Sequence, residues 1–248
     1  MVARIYDQYT RSVPRVGALA MFVGHIGAGL ALKRAEPRLN VGLLVGAALF
    51  ADLLLWTLVL ANVESVLHPH VAGSARYFSF SFPYSHGFVA SLLWSAAAGV
   101  ALWWMVAGGT PFRFRLGLVM ALAVFSHFVL DFIVHVPDLP IALEDSPKLG
   151  LGLWEHMPVA LAVELALACA ALVLFIRGSY RTPARKWLAI GIVVLPGALT
   201  VAGPYIPGPP PAPTAMAASS LVTLLVVVLL AFAVDGRVGV MSSRSHSA

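Results

Sequence analysis

Apolar runs of about 20 residues recur along the chain, each broken by a short polar or Gly- and Pro-containing segment. About 30 Å of hydrocarbon needs that many helical residues. The pattern therefore predicts seven membrane spans, near 16–32, 39–60, 86–107, 115–137, 158–176, 187–203 and 217–234. The first and sixth are short and contain glycine. The expected fold is an all-α, polytopic membrane helical bundle, with residues 1–248 forming a single integral membrane domain. The first fifteen residues carry Asp7 and three arginines, and no small-residue cleavage site follows the first span cleanly, so a cleaved signal peptide is not expected. Met21 opens the run Met21-Phe22-Val23-Gly24-His25 and is an alternative start, which would make residues 1–20 an extension. The stretch from Pro204 through Pro211 reads as a stiff polyproline-type connector.

Composition agrees with the pattern. Hydrophobic residues make up 60% of the chain and charged residues 11%, with a mean hydropathy of +0.88. A soluble domain carries roughly 25% charge, so an ordinary cytosolic enzyme and a disordered chain are both excluded. The single cysteine, Cys169, excludes an internal disulfide and a Cys-built zinc site. A pI of 9.7 could suggest nucleic acid. The 13 Arg and 3 Lys instead cluster at span ends, as membrane topology requires, and no nucleic-acid partner is expected. With seven alternating spans, eleven of these basic residues fall on the side that receives 33–38, 113–115, 177–186 and the C-terminus. That side is assigned to the cytoplasm. Loops 61–85 and 138–157 then face the periplasm of a bacterial inner membrane.

Ionisable groups inside hydrocarbon cost on the order of 2.5–3.5 kcal/mol each on insertion scales and call for a function. Here they are His25 in span 1, Asp52 in span 2, His127, Asp131 and His135 in span 4, and Glu164 in span 5. His86 opens span 3, and His156 lies just before span 5. No Lys or Arg lies well inside these spans, which leaves protons or metal ions as partners for the carboxylates. His127, Asp131 and His135 stand at i, i+4 and i+8, so one helix face carries all three. Such a His/Asp stripe is a natural site for a divalent ion. Counted from the external end of each span, His25, Asp52, His127, Asp131 and Glu164 fall in one layer roughly 9–15 Å deep. Nitrogen and carboxylate donors without thiolate suit zinc, manganese or iron. The number of candidate ligands allows two or three ions, which could clamp a phosphoester and activate water.

The ligand order His25, Asp52, His86, His127-x-x-x-Asp131, His135, His156, Glu164 is similar to that of the helical zinc-dependent phospholipase C and P1-type nuclease fold, although His156 and Glu164 are eight apart here rather than four. More directly, the chain resembles the bacterial membrane-bound metal-dependent hydrolases. The segments carrying this are Gly24-His25-Ile26-Gly27-Ala28-Gly29-Leu30, Phe50-Ala51-Asp52-Leu53-Leu54, Pro83-Tyr84-Ser85-His86-Gly87, the span 4 stretch through Pro137-Asp138-Leu139-Pro140, and Lys148 through Trp154. The resemblance covers roughly 21–176. Leu54 stands where the family often has a second Asp, and Gly87 where it often has Ser.

Residues 21–176 thus form the expected metal-site half, and 177–248, with spans 6 and 7 and the tail, a scaffold. The resemblance implies a metal-dependent hydrolase acting on a small-molecule or lipid phosphoester. His25, Asp52, His86, His127, Asp131, His135 and His156 would hold the metal, and Glu164 and Asp52 would serve the chemistry. A permease or ion-coupled transporter would use the same His/Asp/Glu layer, and a non-catalytic membrane partner would use it structurally. Membrane lipid is an expected partner. Gly-x-Gly within Lys148–Trp154 follows no strand and reads as a turn with an interfacial Trp154. Trp94, Trp103 and Trp104 read as interfacial or lipid-facing, and His68 and His70 as loop residues.

Overall fold

The computed structural model describes residues 22–67, 79–106, 108, 110–178, 182–202 and 211–235. His68, His70, Met21, Arg181, the Pro204–Pro210 connector and the C-terminal tail lie outside the described residues. Among the described residues eight α-helices follow one another: α1 (Phe22–Ala35), α2 (Val41–Ala48), α3 (Phe50–Leu60), α4 (Phe88–Met105), α5 (Arg113–Val134), α6 (Met157–Arg177), α7 (Pro183–Ala202) and α8 (Pro213–Asp235). The chain is mostly helical, as expected. Five helices, α4 to α8, are long and apolar enough to cross a membrane, and six spans result if the bent pair α2–α3 counts as one. Seven spans are not reached among the described residues. α1 has 14 residues there, about 21 Å of helix against ~30 Å of hydrocarbon.

Two departures shape the site. The expected continuous span 39–60 is broken at Leu49, where α2 and α3 meet at 55°. In a straight helix the Ala48 carbonyl would accept from the N–H of residue 52. Here it takes the ring Nδ1 of His127 at 2.8 Å, and a side chain inserted into the helical ladder is a recognised cause of kinks. The segments after α3 and after α5 also carry short antiparallel ribbons, β1 (Ser65–Leu67) with β2 (Ser79–Ser81) and β3 (Leu139–Pro140) with β4 (Lys148–Leu149).

Helices approach closely where glycine permits it. A Cβ at Gly99 on α4 would stand 2.8 Å from the Gly117 carbonyl on α5, so this pair locks the two helices backbone to backbone. Val23, Ile26 and Leu30 of α1 pack with Val45 and Leu49, with Ala168 and Phe175 of α6, and with Leu224 and Val227 of α8. α1 is therefore the central helix, although its described part is too short to span.

After β4 the chain straps the end of α5. Gly150, at φ +147, and Gly152, at φ +77, adopt conformations that side chains resist. That path lets Leu151 N–H reach the Phe132 carbonyl at 2.8 Å and Gly152 N–H reach the His135 carbonyl at 2.7 Å. Carbonyls left over at the helix end are thereby paired. The turn reading of this stretch holds. Trp154 is carried onto the His135 ring, with centroids 4.1 Å apart.

Candidate metal centre

Five of the residues singled out in the sequence converge. His25 sits in the first turn of α1 and Asp52 in the first turn of α3, which the break at Leu49 creates. His86 immediately precedes the N-cap of α4, and His127 and Asp131 share one face of α5. Asp131 is the hub. Its Oδ1 lies 3.2 Å from His25 Nε2. Its Oδ2 lies 3.1 Å from His127 Nε2 and 3.5 Å from His86 Nε2. Asp52 Oδ1 reaches His86 Nε2 at 3.6 Å and His127 Nε2 at 3.8 Å. His25, His127 and Asp131 form one group able to hold an ion, and Asp52, His86 and His127 form a second. His25 and His127 stack with ring centroids 3.8 Å apart.

His135 is the cap residue of α5, not a helical one, yet the i+8 expectation survives in part: its Nε2 is 4.0 Å from Asp131 Oδ2. Its Nδ1 lies 2.9 Å from the Asp138 carboxylate. The outer nitrogens follow a common plan. His127 Nδ1 is bound by the Ala48 carbonyl, His86 Nδ1 by Ser85 Oγ at 2.8 Å and His135 Nδ1 by Asp138, so each ring turns Nε2 inward. Metal-ligating histidines are held this way, which fixes ring orientation and tautomer.

A carbonyl can only accept a hydrogen bond, so His127 Nδ1 carries a proton and a neutral ring leaves Nε2 bare. That bare nitrogen stands 3.1 Å from both the Asp131 carboxylate and His86 Nε2. Acceptors crowded this closely need a shared proton or a cation between them. His25 Nδ1 adds a buried ring nitrogen without a hydrogen-bond partner among the described residues. Such an atom costs about 1–3 kcal/mol, which an ion or water in the cavity would offset. The donor set fits a divalent ion that takes nitrogen and oxygen ligands.

A cavity of about 50 Å³ opens over this floor. Its walls are apolar and largely aromatic, with Phe22, Leu55, Trp56, Phe82, Trp154 and Leu224 among them, and among the described residues no Lys or Arg lines it. His25, His86, His127, Asp131 and His135 are buried, whereas the Asp52 side chain is 22% exposed and gives the cluster its accessible side.

Two expected residues lie elsewhere. His156 is exposed, at the junction of a short 3₁₀ turn (Leu153–His156) and α6, and belongs to neither group, because the Gly150–Gly152 turn carries the chain past the site before α6 begins. Glu164 is buried but points its Oε1 at the first N–H groups of α1, Val23 at 2.8 Å and Gly24 at 3.3 Å. It caps the helix that carries His25, so the expectation of a ligand or base gives way to one of support. The sequence reading missed the groups that hold the rings, namely Ser85 with Glu64 behind it, and Asp138. Adjacency to His86 and the i+3 spacing from His135 were the available signals.

Comparison with protein-family models, with curated proteins and with solved structures finds no match to this chain.

Proposed function

We propose that the chain is a metal-dependent hydrolase of the bacterial inner membrane, a seven-span bundle with α1 as first span, acting on a phosphoester just below the periplasmic face. The observation that carries this reading is His127 Nε2 standing 3.1 Å from both the Asp131 carboxylate and His86 Nε2, with its Nδ1 held by the Ala48 carbonyl. His25, Asp52, His86, His127, Asp131 and His135 would hold divalent metal, with zinc the first choice for this donor set. When bound, the metal polarises a phosphoryl oxygen and lowers the pKa of water. The protein orients the ligands through their outer nitrogens, excludes bulk water with the aromatic walls and leaves Asp52 as the carboxylate nearest an entering substrate. The apolar walls of the cavity favour an ester with a hydrophobic substituent, such as a membrane lipid.

The test is elemental analysis of purified protein, followed by hydrolysis assays on lipid phosphoesters and on a chromogenic aryl phosphate. At least one zinc per chain with chelator-sensitive phosphate release is expected. Metal-free protein would move the same layer to the permease reading. Orientation has its own test in a Cys169→Ser background. Leu143→Cys should react with an impermeant maleimide in intact cells and Ala184→Cys should not, and the reverse pattern overturns the periplasmic placement.

A further inference from the structure

Glu64 ends the turn after α3 and is 3% exposed. Its Oε1 accepts from the N–H groups of Tyr84 at 2.8 Å and Ser85 at 2.9 Å. Its Oε2 accepts the Ser85 hydroxyl at 2.6 Å. A hydroxyl has one proton to donate. With that proton committed to the carboxylate, Ser85 Oγ can only accept from His86 Nδ1, 2.8 Å away. Nδ1 must then carry a proton, and in the neutral ring Nε2 faces the cluster bare.

We infer that Glu64, acting through Ser85, is a positioning residue that fixes His86 in the one tautomer able to bind the metal. This rests on the metal-centre reading and deepens it. It assigns a buried carboxylate that touches no ligand of the cluster except through one hydroxyl. It also explains why His86, which lies outside any helix, can present a defined nitrogen: the Glu64 carboxylate pins the backbone at Tyr84 and Ser85 and the ring proton together.

The chain of donors makes a prediction that a merely structural carboxylate would not. In Glu64→Gln the side chain keeps its size, and its carbonyl oxygen still accepts from Tyr84 and Ser85. The new amide NH2, however, donates to Ser85 Oγ. The hydroxyl proton then turns to His86 Nδ1, the ring proton moves to Nε2, and the lone pair leaves the cluster. Ser85→Ala merely frees the ring to sample both tautomers. The conservative change should therefore be the more harmful of the two, and removing the hydroxyl should relieve it.

The experiment measures zinc affinity by chelator competition on detergent-purified full-length protein, with melting in chelator as the check on folding. Ser85→Ala should lose about 10–100-fold, the range for outer hydrogen-bond partners of metal-bound histidines. Ser85→Thr should recover most of that loss. Glu64→Gln should lose more than Ser85→Ala, and the double variant should return to the Ser85→Ala level. Additive losses, or Glu64→Gln within twofold of wild type, would overturn the relay. If Glu64→Gln does not fold, the Ser85→Ala and Ser85→Thr pair decides, and a Ser85→Ala protein with wild-type affinity overturns it. Wild-type protein that binds no zinc would overturn the metal reading and this inference together, whereas zinc-loaded wild type with an unaffected Glu64→Gln variant overturns this inference alone.

Discussion

The two ends of the bundle treat buried carboxylates in opposite ways. At the end where α1 finishes, Glu36 is fully buried between Arg38 and Arg115, each 3.0 Å from one of its oxygens. Asp235 holds Lys33 at 2.8 Å and accepts the first N–H of α2, from Val41, at 2.7 Å. At the end where α1 begins, the ion-pair partners of Asp52 and Asp131 among the described residues are all histidines. Arginine and lysine bring positive charge of their own and close a site with protein alone. Histidine carries charge only when protonated, so an added cation can take the place of a proton at the histidine end. The same helices thus carry a finished electrostatic lock at one end and a receptive one at the other.

The largest expected effect breaks the receptive end. His127→Ala and Asp131→Ala should each remove most of the bound zinc, a loss at least as large as the roughly 10–100-fold that follows from losing an outer partner. Asp235→Ala, at the other end, should leave zinc per chain unchanged. Elemental analysis reads all three. Equal zinc in every variant would make the two ends alike and the His/Asp layer structural.

Next comes the locked end. Lys33 and Asp235 are each 11% exposed at the side chain, and removing one partner of a buried pair costs about 3–5 kcal/mol. Asp235→Ala should therefore lower the melting temperature by a similar amount with zinc or with chelator, and added salt should rescue little, because buried pairs are weakly screened. A loss that appeared only with zinc present would mean the two ends are coupled.

Asp52 sharpens the contrast from the other side. Asn keeps its size and removes the charge an ion needs. With zinc at 100 times Kd, binding to the native state adds about 2.7 kcal/mol, part of which Asp52→Asn should forfeit. With chelator the two proteins should melt together. Identical curves in zinc would remove Asp52 from the ligand set.

Local periodicity made one half of the site legible in the sequence. His127 and Asp131 face the same way because the helix repeat dictates it, and Asp52 and His25 stood out as polar residues in apolar runs. What remained hidden depends on approach in three dimensions. The break at Leu49 follows from a histidine 78 residues later in the chain taking the Ala48 carbonyl. Glu64 reaches Ser85 across a ribbon. Glu36 sits in a basic segment, Lys33-Arg34-Ala35-Glu36-Pro37-Arg38, whose composition reads as a solvated loop, yet it is fully buried because Arg115 arrives from α5. His156 and Glu164 illustrate the opposite error, since order along the chain placed them with the ligands and the turn at Gly150 and the start of α1 did not.

The smallest expected effect separates support from ligation at Glu164. Its Oε1 accepts from Val23 and Gly24, two of the four N–H groups that a helix start leaves unpaired. In Glu164→Gln an amide oxygen can take both bonds, so the cap persists. What is lost is the attraction between a negative charge and the positive end of the helix dipole, about 0.3–1 kcal/mol, and up to ~2 in a partly buried setting. Since α1 carries His25 a turn away, a small shift of that helix should weaken zinc binding only slightly, by less than the loss in Ser85→Ala. Glu164→Ala removes the acceptor as well and should cost a further 1 kcal/mol or so in stability, with and without zinc alike. The readouts are zinc per chain and melting in chelator for both variants. If Glu164→Gln empties the site as His127→Ala does, Glu164 belongs to the metal centre after all. If both variants retain zinc and differ only in stability, α1 is held by a carboxylate that never meets the ion.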